Sequence, residues 1–311
     1  MNLPDKTTTS HSGLPLIACC AALMLLAFFW SYWPTLAELV GAWNRIPDYS
    51  HGYLVVPIAV IFLWVRRDRC PNLPLKLAWG GLLLLAVSVA VRLVGAFYFW
   101  GSVDGWTMLI WLAGTAWFLG GMGLLRWALP SIGFLFFMIP LPYGMERWLS
   151  SPLQRIAASL SSWVLQCLGQ PAFAEGKTIW MDNHLLEVEQ ACSGLRIFVG
   201  ILALAYGYLL FASRTWFERI FLLASVIPIS LAANCTRIVV TALLQQYASG
   251  EAAKKFSHDL SGLFMIPFAA GLFALALWYM RSLLREEEVV DLQSMVSLQN
   301  QMHGVRAIKG E

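Results

Sequence analysis

The chain has 311 residues, of which 59% are hydrophobic and only 13% charged, with a formal net charge of +3 and a mean hydropathy of +0.65. Soluble domains carry about 25% charged residues, so a water-soluble enzyme is excluded, and so small a net charge gives no reason to expect nucleic acid as a partner. What remains is an all-α polytopic bundle whose solvent is the lipid bilayer.

A helix crossing the hydrocarbon needs about 20 apolar residues. About eight stretches approach this: 14–33, 51–65, 77–99, 106–125, 129–143, 192–212, 220–241 and 259–280. The first has no small-residue cleavage site and reads as a retained anchor. Short basic loops mark the cytoplasmic side. Arg66, Arg67, Arg69 and Lys76 follow the second span, Arg126 the fourth, Arg214 and Arg219 the sixth, Arg281 and Arg285 the eighth. Both termini are therefore expected inside. Residues 146–168 read as an amphipathic helix on the outer leaflet. Residues 171–190 read as a short β-hairpin, with Thr178–Met181 as one strand, Asp182-Asn183 as the turn and Leu185–Glu189 as the other. The division expected is a transmembrane domain over 1–285 and a polar cytoplasmic tail over 286–311.

Ionisable residues inside a membrane are expensive and mark function. No Asp or Glu falls inside the core of a predicted span, which argues against carboxylate chemistry. Arg92, Arg196 and Arg237 do fall within spans. The alternating topology puts Cys192 at the outer end of span six, Arg237 four residues from the outer end of span seven, and His258 just outside span eight. A thiol at a helix N-terminus gains thiolate character from the positive end of the helix dipole. Arg stays charged and stabilises an oxyanion. His moves protons near neutrality. Together they are the parts of a cysteine acyl-transfer site that works through a thioester.

Ala191-Cys192-Ser193-Gly194-Leu195-Arg196, Asn234-Cys235-Thr236-Arg237 and His258 resemble the signature of the exosortase/archaeosortase family. Asp48-Tyr49-Ser50-His51-Gly52 before span two and Pro140-Leu141-Pro142 in span five extend the likeness across roughly residues 30–285. The resemblance implies a membrane-embedded cysteine transpeptidase at the periplasmic face of a bacterial inner membrane. Its partners would be exported proteins ending in a sorting signal, often Pro-Glu-Pro followed by a transmembrane helix and a basic cluster. An acceptor of unknown identity would take the acyl group, and many such genes accompany exopolysaccharide genes. By resemblance, Cys192 is the nucleophile, Arg237 the oxyanion or orienting cation, and His258 the acid/base.

Plainer readings stand beside these. Cys192 packs as a small hydrophobe, or forms a disulfide with Cys235. Arg196, one turn after Cys192, either supports the site or makes a structural bond. Asn234 orients Arg237 or ties helices together, and Arg92 snorkels outward along its own stem. His51 competes with His258 for the proton-transfer role, or belongs to a turn that starts span two. No His-Glu-x-x-His motif and no grouped His/Cys ligands occur, so neither a metal nor a cofactor is expected. Two other functions remain open: an envelope-polysaccharide transporter or assembly factor, and an endoprotease that uses water as the acceptor.

Overall fold

The computed structural model describes residues 14–71, 77–181, 184–188, 194–212, 214–247 and 261–283. The helices are α1 (Leu14–Arg45), α2 (Gly52–Val65), α3 (Gly80–Phe97), α4 (Gly101–Phe134), α5 (Tyr143–Cys167), α6 (Gly194–Phe211), α7 (Trp216–Tyr247) and α8 (Ser261–Leu283). A three-stranded antiparallel sheet, β1 (Ala172–Glu175), β2 (Thr178–Met181) and β3 (His184–Glu187), follows α5. Residues up to Phe273 form one compact unit; the second, Ala274–Glu311, is described only for the last part of α8. The architecture is an all-α membrane bundle with a small sheet.

Among the described residues, four segments are long and apolar enough to cross a membrane: Ile17–Arg45, Gly80–Phe97, Gly101–Met138 and Trp216–Tyr247. Gly52–Val65 and Leu195–Phe211 are apolar but shorter. The third segment absorbs predicted spans four and five. It is not straight, because Gly121 has φ 66° within α4, a left-handed conformation that glycine adopts without a Cβ clash. The chain folds back there. Trp106 stacks on Phe136 at 6.3 Å, and a Cβ on Gly105 would meet Ile139 at 2.7 Å, contacts a straight helix of this length cannot make. The reversal thus falls at Gly121, ahead of the Arg126 loop expected from the basic residue. At that end Arg66 donates to the Trp127 carbonyl (3.2 Å) while the Trp127 indole N–H donates to the Arg66 carbonyl (2.8 Å).

At the opposite end, α4 passes into a 3-10 turn, Leu135–Met138, and an extended Ile139–Pro142. Pro140-Leu141-Pro142 therefore lies in a linker, not in a span, since prolines lack the N–H that would continue a helix. The expected amphipathic helix is α5. Its buried Gln154, Ala157, Ala158, Ser161, Ser162 and Leu165 recur every three or four residues, a face of small side chains that allows close helix approach. That face, the inner side of the sheet and Ile238, Val239 and Ala242 of α7 share one core. The hairpin expected at 171–190 is a three-stranded meander. The additional strand, β1, is joined to β2 across Gly176 and Lys177, with Gly176 at φ 63°.

The C-terminal half of α7 is claimed by this core, so the helix continues to Tyr247. Arg237 consequently stands ten residues, about 15 Å, from the helix end, rather than the four residues expected. The other end of α7 starts on a capping box. The Thr215 N–H donates to Glu218 Oε2 (2.8 Å), the Glu218 N–H donates to Thr215 Oγ1 (3.4 Å), and Arg214 closes an ion pair with Glu218 at 3.1 Å.

Candidate functional site

A Pro-Asp-Tyr 3-10 turn links α1 to α2 and ends on Ser50 and His51. Three distant segments converge on it. Tyr49, 3% exposed, accepts the Leu141 N–H at 3.1 Å. His51 Nε2 donates to the Phe137 carbonyl at 2.9 Å. From the first turn of α6, Arg196 donates to Ser50 Oγ at 3.2 Å. Nearby, the Trp43 indole N–H donates to the Met138 carbonyl at 2.8 Å, locking α1 onto the same linker. The Asp48–Gly52 and Pro140–Pro142 motifs, separate in sequence, are thus one structure.

The electrostatics follow from burial. Burial pushes the Tyr49 hydroxyl up to about 12, helped by the charges of Glu146 and Asp48, while the Leu141 N–H pulls the other way. Tyr49 remains a neutral acceptor throughout physiological pH. Burial also lowers His51, in the connection between α1 and α2, below its ordinary 6.5, and the Arg196 charge adds to this. The backbone carbonyls of Phe137 and Asp48 oppose it. A neutral His51 with Nε2 committed to Phe137 acts as a tie, which weakens its claim on proton transfer.

Along α6 this polar end opens into an apolar cavity of about 810 Å³. Ser50, His51 and Arg196 form its mouth, α2 and α6 its walls, and Tyr208 and Phe211 its far end, with Ala269 and Ala270 of α8 contributing. From Arg196 to Phe211 it follows the helix for about 22 Å. Gly200 lines it, and a Cβ there would meet nothing within 4 Å.

Asn234 and Arg237 lie one turn apart on α7, beside residues of the core shared with α5 and the sheet. Asn234 is buried, and its Oδ1 finds no hydrogen-bond partner among the described residues. Cys235 packs against that core and is a free thiol among the described residues. Cys192 and His258 lie outside the described residues. Chain on either side of Cys192 is anchored: Val188 is 0% exposed and Leu195 2%. Arg92 does not snorkel. It reaches Asp104 at 3.6 Å, donates to the Ser31 hydroxyl and carbonyl, and lies 4.5 Å over the Tyr32 ring. Tyr49 and Ser50 are the site residues that sequence reasoning passed over. Both lay in a motif quoted for its likeness and otherwise read as a turn.

A family model for transmembrane exosortases matches residues 43–279. This chain belongs to that family. The match covers α2 through most of α8 and includes the polar mouth, the cavity and the sheet. As an exosortase-family member the chain is a membrane protein of the sorting-transpeptidase type, acting on proteins that carry sorting signals. No curated protein and no solved structure matches it.

Proposed function

We propose that this exosortase-family protein is a cysteine transpeptidase at the periplasmic face of a bacterial inner membrane, acting on C-terminal sorting signals of the Pro-Glu-Pro type. One observation carries the reading most directly. A helix-long apolar cavity with an Arg196–Ser50–His51 mouth runs along α6, which begins two residues after Cys192. A substrate helix seated there with its outer end at the mouth would present the peptide beyond it to the thiol.

The chemistry then follows in two steps. The Cys192 thiolate attacks the scissile carbonyl, a C–S bond forms, and the carbonyl electrons move onto oxygen, where Arg237 stabilises the charge. The oxyanion collapses, the C–N bond breaks, and the leaving nitrogen takes its proton from His258. The thioester is opened by an acceptor whose proton passes to His258, and the thiolate departs. Asn234, one turn from Arg237, positions the guanidinium. Arg196 holds the mouth, and His51 fixes the Phe137–Pro142 linker.

The test is co-expression of a cargo ending in such a signal with Cys192→Ala, Arg237→Ala or His258→Ala. Each is expected to stop maturation while enzyme abundance stays unchanged; normal maturation in Cys192→Ala rejects the mechanism. The intact mass of the cargo's new C-terminus separates water from another acceptor: a free carboxylate means hydrolysis, and added mass identifies the acceptor.

A further inference from the structure

We infer that the outer edge of β3 is a docking strand for an extended peptide, the stretch of substrate that leads to the scissile bond. This rests on the transpeptidase reading and adds a binding site to it.

The two edges of the sheet differ. β1 is covered by α5, whose Ser162 hydroxyl and Gln166 amide both donate to the Ala172 carbonyl at 3.0 and 2.6 Å. Among the described residues, β3 pairs only with β2 in the sheet order. Its register pairs Leu186 with Ile179 and Glu187 with Thr178, and just beyond it the Val188 N–H donates to the Lys177 carbonyl at 3.0 Å. In an antiparallel ladder successive residues alternate between facing the partner strand and facing away. Val188 and Leu186 therefore face β2, and the N–H and C=O groups of Leu185 and Glu187 point outward. No described residue hydrogen-bonds to them. Unpaired main-chain donors and acceptors on an edge are a template for another strand, and adding a strand is a standard way to bind an extended peptide.

Two further features fit a peptide. Phe173, Trp180 and Leu185 are cross-strand neighbours in register. They are 65%, 51% and 48% exposed, so a fourth strand would extend a ready-made apolar row. Glu187 precedes Cys192 by five residues, which span at most about 18 Å even when fully extended. A peptide paired to β3 is therefore within a few residues of the thiol. The strand also exits through Val188, which is buried in the same core as Ile238, the neighbour of Arg237.

The experiment uses the full chain carrying Cys192→Ala in nanodiscs, so that binding is read without turnover. The probe is a synthetic peptide with a Thr-Val-Thr-Val-Thr-Val stretch, then Pro-Glu-Pro and a 20-residue Leu/Ala helix. Amides in the Thr/Val stretch are replaced by esters one at a time. Strand pairing predicts an alternation: every second ester weakens binding at least fivefold, and those between change it less than twofold. Leu185→Pro and Glu187→Pro each remove an outward N–H without touching the β2 ladder. Each should weaken the all-amide probe at least tenfold, whereas Leu185→Ala and Glu187→Ala should stay within threefold. A flat ester series, proline variants that bind like the parent, or no binding of the all-amide probe overturns the docking strand. Failure of the thiol mechanism shows separately, as cargo maturation by Cys192→Ala.

Discussion

Two arginines in apolar helices, Arg92 on α3 and Arg196 on α6, each donate to a serine hydroxyl, yet the molecule treats them in opposite ways. Arg92 has a carboxylate at 3.6 Å and an aromatic face at 4.5 Å. Tyr32 in turn bonds Ser88 and Thr107, so the group ties α1, α3 and α4 together with its charge balanced. Arg196 has a neutral hydroxyl, a neutral imidazole and an apolar cavity; among the described residues no carboxylate pairs with it. A cation in a low-dielectric setting is neutralised on the spot or kept for a group that arrives with the substrate. The first cluster is scaffold, and the second is the one we propose as site.

The largest expected effect separates the two. Arg196→Ala should lower cargo maturation on the order of a hundredfold, because a hydrogen bond to a charged group contributes about 1.5–3 kcal/mol. Enzyme abundance and thermal midpoint should hold. Arg92→Met should do the reverse, lowering stability by about 2 kcal/mol, less than for a fully buried pair because both side chains are about a quarter exposed (24% and 29%). Activity per folded molecule should stay within twofold, and Arg92→Met with Asp104→Leu should recover most of the loss. If denaturation of purified protein shows the two arginines behaving alike, the contrast is broken.

Smaller effects sharpen it. Gly200→Leu fills the cavity and should raise KM about tenfold, a loss of roughly 1.4 kcal/mol of binding, with kcat little changed. Gly271, whose Cβ would likewise meet nothing within 4 Å but which does not line the cavity, supplies the control: Gly271→Leu should leave KM alone. The smallest effect is the pH response of His51. Its folded-state pKa is lowered, so between that value and 6.5 the unfolded chain binds more protons and stability rises with pH. Stability should be flat above 6.5 and fall as pH drops below it, and His51→Gln should flatten the decline. Glu146, raised by burial and by the Asp48 charge, contributes with the opposite sign, losing stability as pH rises above its ordinary 4.5. The difference between parent and His51→Gln isolates the imidazole.

The membrane bundle and its polar end were legible because both rest on local signals: apolar runs, basic loops and two short motifs. What joins the motifs was not. Nothing in Asp48–Gly52 announces that Tyr49 will accept the Leu141 N–H, because the two are brought together by α4 folding back at Gly121. The Gly120-Gly121 pair sits in an unbroken apolar run, and the charge on Arg126 drew the boundary away from it. β1 was missed because Ala172-Phe173-Ala174-Glu175 contains no β-branched residue, the composition that usually marks a strand. α7 was cut short because Gln245 and Gln246 end its apolar run, although packing against α5 and the sheet sustains the helix. Arg92 was misread because its partner Asp104 lay in a segment assigned to the outside.

α7 has a mechanical consequence. Thirty-two residues give it a length of about 48 Å, against a hydrocarbon core of about 30 Å, and its C-terminal stretch is packed into α5 and the sheet. One continuous helix, with Pro228 inside it, thus serves both the lipid-embedded body and the sheet packed against its C-terminal end. A change in the thickness of the surrounding bilayer therefore bears on a helix that also carries the packing of α5 and the sheet, so lipid length and the stability of that packing are coupled through one element.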